Sequence, residues 1–68
     1  MSFNYSPLWD TMKGKSVSKY QLMHKHNISP SIITRLQRNQ SVEIKTIDKL
    51  CSILDCSVED VVKITREE

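Results

Sequence analysis

The sequence predicts an all-α protein, a compact bundle of five short helices, on three observations. Both prolines directly follow a serine, a pairing that opens helices. Apolar residues recur at three- and four-residue spacings, the period of one helix face. No hairpin signal separates any two apolar stretches. At 68 residues the chain has room for one core, so residues 1–68 read as a single domain. Residues 1–5 are expected as a loose amino-terminal arm and 66–68 as a frayed carboxyl end.

The first helix is expected from Pro7 to Met12 or Lys13, capped by Ser6 and closed by a left-handed Gly14, with Leu8 and Met12 inward and Trp9 beside them. Phe3 and Tyr5 precede it, either loose or packed on a neighbour. The second opens at Ser16 or Ser18, turns Leu22 and Met23 inward and ends near His26-Asn27. The third runs from Ser29 to about Arg38, with Ile33 and Leu36 three apart on one side. Asn39-Gln40-Ser41 forms a polar loop. The fourth covers about Ile44–Leu54, where Ile47, Leu50, Cys51 and Leu54 make one buried stripe. The fifth follows Ser57-Val58-Glu59-Asp60, a serine with an acid three residues on, close to a capping box. Val58, Val61, Val62 and Ile64 give it an apolar face. The β-branched residues there favour a strand, but the cap and the 58/61/62 spacing argue for a helix.

Composition narrows the function. A deep substrate cleft is hard to build at this size, and no acid, base and nucleophile are grouped, so the chain reads as a non-enzyme. The longest apolar run is two residues, against the roughly 18 a membrane span needs, and residues 1–9 lack a secretory pattern. With two cysteines, too few for a disulfide framework, a cytosolic (cytoplasmic) protein is expected. The net charge of +2 is unevenly placed. Residues 1–42 hold six cations (Lys13, Lys15, Lys19, Lys25, Arg35, Arg38) against Asp10 alone; residues 43–68 hold four against seven acids. A basic half facing a polyanion fits nucleic acid.

A metal reading is weak. His24 and His26, two apart on a helix, point to different sides, and Cys51-x4-Cys56 lies at the edge of ligand spacing. Cys51 reads as a small apolar residue of the buried stripe. No cofactor, metal or small-molecule ligand is expected.

The informative stretch is 18–38. Helix two ends at Asn27 and helix three begins two residues later, a turn that needs a residue tolerating positive φ (Asn27) and an apolar plug (Ile28). With Leu22, Ile33 and Leu36 inside, this is the layout of a helix-turn-helix formed by helices two and three. Asn27, Ile28, Ser29, Ile33, Thr34 and Leu36 resemble the core of the phage-repressor (Cro/Xre-type) family, which often reads glycine, Ile or Val, Ser, two free positions, Ser or Thr, Ile or Val, Ser, one free position, Leu or Ile. Ser18-x-Tyr20-x-Leu22 precedes it. Downstream, Val42-x-Ile44-x-Thr46-Ile47-x-Lys49-Leu50-Cys51 and Leu54-Asp55-Cys56-Ser57-x-Glu59-Asp60 extend the likeness over about residues 8–64, to the small Xre-like subgroup of bacteria, phages and mobile elements. The implied fold is the lambda-repressor-like bundle. Three departures stand out: Asn27 replaces the usual glycine, and Met23 replaces alanine or glycine and would spread the helices slightly. Ile32 sits where a polar residue is commoner, and either touches a thymine methyl or completes the core.

The resemblance implies a transcriptional regulator that binds double-stranded operator DNA with helix 29–38 in the major groove, as a homodimer at least on DNA. Its base-reading positions fall on Pro30, Ser31, Thr34 and Arg35, with Ile32 the ambiguous member. Phosphate contacts fall on Ser18, Lys19, Ser29, Arg38, Asn39, Gln40 and Lys45. The dimer surface is either helix five (Val58–Ile64) or the aromatic amino terminus. The rival reading is a helical protein-interaction module, antirepressor or antitoxin-like, that keeps the fold without binding DNA.

Overall fold

The computed structural model describes residues 2–65. In chain order it contains β1 (Ser2–Asn4), α1 (Ser6–Gly14), α2 (Lys19–His24), α3 (Pro30–Gln37), α4 (Ile44–Leu54), a 3-10 turn over Val58–Asp60 and β2 (Lys63–Thr65). Among the described residues the fold is mostly helical, with four helices rather than five, and a small antiparallel sheet pairs the two ends of that stretch. No helix among the described residues is long and apolar enough to cross a membrane.

The core forms where the helical periods converge. Leu8 and Met12 of α1, Leu22 of α2, Ile33 and Leu36 of α3, and Ile47, Leu50 and Leu54 of α4 are buried together with Tyr5, Ile28 and Val61. Cys51 is half-buried against this cluster, and Thr46 is a buried polar residue that the apolar pattern did not mark.

The expected fifth helix is corrected. Asp60 Oδ2 accepts from the Ser57 backbone N–H at 3.3 Å, so the box-like cap is present, but it opens only one tight turn. Beyond it the β-branched residues extend, because β1 offers a ladder: Ser2, Phe3 and Asn4 pair with Thr65, Ile64 and Lys63. Val61 still turns fully into the core. The loose arm is corrected by the same pairing, since Ser2–Asn4 is a strand and Tyr5 is buried. The expected fray at 66–68 lies outside the described residues.

Helix ends differ from expectation in a consistent way. Ser6 does not cap α1; it is the first helical residue, Tyr5 precedes it, and its backbone N–H donates to Asn4 Oδ1 at 3.1 Å. Gly14 stays within the helix, and Ser16 takes the left-handed conformation at φ 57°. Asn27 (φ 58°), Asn39 (φ 55°) and Asp55 (φ 50°) follow α2, α3 and α4 in the same conformation. Short polar side chains thus end every helix where glycine is commonest. After α1, α3 and α4 the next amide closes back five residues: Val17 to Met12, Gln40 to Arg35, and Cys56 to Cys51. This is the Schellman closure.

Candidate nucleic-acid interface

Helix α2 starts at Ser18, whose Oγ accepts from the Gln21 N–H at 3.1 Å while Gln21 Oε1 accepts from the Ser18 N–H at 2.8 Å. This reciprocal cap satisfies two amide donors at the helix start. Gln21 was the partner sequence reasoning missed, although serine with glutamine three residues on is its signature. Asn27 then reverses the chain, Ile28 plugs the turn at 3% exposure, and Ser29 Oγ caps α3 by accepting from the Ile32 N–H at 3.3 Å. The helix-turn-helix expected over 18–38 is therefore built by two caps, one left-handed asparagine and one buried isoleucine.

Helix α3 divides cleanly. Ile33 and Leu36 fix one side to the core, while Ser31, Thr34, Arg35 and Arg38 are exposed. Those four stand at i, i+3, i+4 and i+7, one stripe along the helix and its closing residue. Pro30 is exposed at the first turn. Ile32 is half-buried and packs against the core, yet it also borders a shallow cleft with Ser31, Arg35, Val42, Glu43 and Thr46. Two of the hydroxyls are partly engaged. Thr34 Oγ1 donates to the Pro30 carbonyl at 3.1 Å, which leaves its lone pairs outward. Ser31 Oγ lies 3.3 Å from Ser29 Oγ.

The expected phosphate contacts occupy several elements. Ser18 and Ser29 are exposed at the starts of α2 and α3. Lys19 Nζ lies 5.3 Å from the centre of the Trp9 ring, a cation–π contact that ties α2 to α1. Arg38, Asn39 and Gln40 follow one another where α3 ends. Asn39 is not wholly free: its Oδ1 accepts from the Tyr5 N–H at 3.1 Å. Lys45 Nζ lies 3.7 Å from Glu43 Oε2, the one ion pair among the described residues, and both side chains are well exposed. Glu43 places a negative charge beside Arg35 and Ser31 in the cleft, a feature the residue pattern did not flag.

The groups weighed for a metal do other things. His24 stacks on Tyr20 with ring centres 4.2 Å apart. Cys51 and Cys56 are free thiols meeting where α4 ends. Burial pushes the Cys56 thiol up, the neighbouring Cys51 and the Asp60 charge push it further, and Lys15 opposes them.

Comparison with known proteins matches this geometry. A family model described as a Cro/C1-type HTH DNA-binding domain covers residues 7–67. Among solved structures, the crystal structure of transcriptional regulator VanUg, Form II, superposes with a TM-score of 0.87, spanning 97% of this chain and 88% of that one at 23% identity. The superposition shows a shared fold. No curated protein matches the sequence.

Proposed function

This chain belongs to the family of Cro/C1-type HTH DNA-binding domains, and on that premise we propose that it regulates transcription by laying α3 in the major groove of operator DNA. The observation that carries the reading is the outward stripe Ser31, Thr34, Arg35 and Arg38 on a helix whose opposite side is locked by Ile33 and Leu36. Arg35 is the principal base reader, since a guanidinium donates to both O6 and N7 of guanine. Ser31 and Thr34 add hydroxyl contacts, Pro30 lies against the groove wall, and Ile32 meets a thymine methyl at its exposed edge. Ser18, Lys19, Ser29, Arg38, Gln40 and Lys45, with the remaining amide of Asn39, hold the phosphates and set register.

A second copy completes the site. The two surfaces considered from sequence, Val58–Ile64 and the aromatic amino terminus, become one once β1 pairs with β2. Phe3 and Ile64 stand opposite each other across the sheet and border an apolar groove with Val42, Ile44 and Val62. Ile44 is 82% exposed and Ile64 65%, more apolar surface than a monomer needs at its rim. Association through this face as a two-fold dimer would present two α3 helices to half-sites about 34 Å apart.

Titration of labelled duplex DNA across a salt series tests the proposal. Affinity is expected to fall linearly in log–log form as phosphate contacts release counterions. Failure to bind any duplex at low salt would favour the other reading, a helical protein-interaction module that uses the apolar face.

A further inference from the structure

Tyr5 is almost fully buried at 2% exposure, and both its hydrogen-bond donors reach the same short turn. Its backbone N–H donates to Asn39 Oδ1 at 3.1 Å, and its phenol donates to the Gln40 carbonyl at 2.8 Å. Asn39 and Gln40 are the residues that end α3. Asn39 is left-handed at φ 55°, and the Gln40 N–H closes back onto the Arg35 carbonyl at 2.8 Å. A left-handed asparagine has no steric advantage of glycine's kind, so an outside hydrogen bond to its side chain helps hold it there. Tyr5 is itself fixed. The Phe3 ring meets its ring edge-on, with centres 5.8 Å apart and planes at 73°, and β1 immediately before it is paired to β2.

We infer that Tyr5 is a positioning residue for DNA reading: its two hydrogen bonds to Asn39 and Gln40 hold the end of α3 and thereby aim Arg35 and Arg38. This rests on the reading of α3 as the DNA-reading helix. It gives the amino-terminal segment a role that composition and spacing did not reveal, and it turns the Asn39 side-chain oxygen inward, toward Tyr5. The coupling runs from β1 through Tyr5 into the last turn of α3.

The test uses the full chain carrying Tyr5→Phe, which keeps the buried ring and deletes the phenol's bond to Gln40. Thr11→Val is the control. It removes a hydrogen bond of the same 2.8 Å length, from Thr11 Oγ1 to the Asp60 carbonyl, that touches neither α3 nor its closing turn. Two readouts are taken on each protein, amide hydrogen exchange at Gln40 without DNA and affinity for a duplex selected by the unmodified chain. Tyr5→Phe is expected to speed Gln40 exchange and weaken the selected duplex by roughly three- to tenfold, the range a lost buried hydrogen bond gives, while Thr11→Val changes neither. Asn39→Gly, which keeps the left-handed turn but removes the acceptor, is expected to speed Gln40 exchange as well; it is read by exchange alone, because the Asn39 amide is itself assigned to phosphate. Faster exchange with unchanged affinity would overturn the inference, leaving Tyr5 a stabilising residue only. Unchanged exchange would overturn the clamp itself. Failure of the unmodified chain to bind DNA would overturn both the inference and the function it rests on, and is recognised because it appears before any substitution is made.

Discussion

Arg35 and Lys19 are expected to make two different kinds of contact with DNA. Arg35 lies on the outward stripe of α3, so Arg35→Ala is expected to relax preference at one or two base pairs, a loss of about 1–3 kcal/mol of discrimination. Lys19, held over Trp9, faces no base in this account. Lys19→Ala is expected to weaken all duplexes alike and to reduce the salt slope by about 1, measured by the same titration. Tyr5 adds a pH signature. Burial raises its phenol above the ordinary 10.0, with a backbone hydrogen bond from Val42 opposing. A neutral group whose folded pKa is raised gives its full stabilisation below about pH 10 and loses it as pH climbs through the folded value. Alkaline melts should therefore show a stability loss above pH 10 that Tyr5→Phe reduces. The stripe itself was legible because Ile33 and Leu36 reveal which side of α3 is inward. The role of Tyr5 was not, because its partners lie 34 and 35 residues away and no local pattern announces them.

Caps and closures decide the outcome for whole elements. Ser18→Ala removes one half of a reciprocal cap and is expected to cost about 0.5–2 kcal/mol in thermal melts, through α2 alone. Ser16 is a stronger test of the closures, since serine lacks the local advantage of asparagine at positive φ. Ser16→Gly is expected to stabilise by roughly 0.5–1 kcal/mol, the left-handed penalty less glycine's extra chain entropy; no gain, or a loss, would mean that the penalty at Ser16 is no larger than that entropy cost. Helix α4 was the most legible element, because its stripe repeats through three turns and nothing competes with it, although Thr46 is buried without belonging to that stripe. Gly14 misled because glycine is the usual left-handed closer, whereas α1 runs through it and turns two residues later. The last segment misled for a different reason. Its Ser57 cap is real, but strand formation at Lys63–Thr65 depends on a partner at Ser2–Asn4, the far end of the chain. Sheet pairing of that separation leaves no periodic trace in either strand alone.

Helix α3 and the terminal sheet belong to one fold with a radius of gyration of 11.6 Å. A chain of this size has a modest core, so covering the face around Phe3, Ile44 and Ile64 would stabilise it as well as set half-site spacing. Ile64→Asp, a change at an exposed position, is expected to leave the helices intact while abolishing concentration-dependent association and the preference for two-fold symmetric sites. Sedimentation of the free chain and of its DNA complex checks this; dimers persisting in the variant would place the interface elsewhere. The general architecture was legible because four periodic helices and one tight turn share a single inside. The surface joining the two ends became visible only when the sheet closed. Whether α3 reads sequence is decided by selecting binding sites from random duplex DNA in parallel with the unmodified chain and Arg35→Ala. Enriched two-fold symmetric sites are expected, with a guanine at matching positions that loses its preference in the variant. Enrichment of the same guanines by both proteins, or no enrichment by the unmodified chain at low salt, would contradict sequence reading by α3.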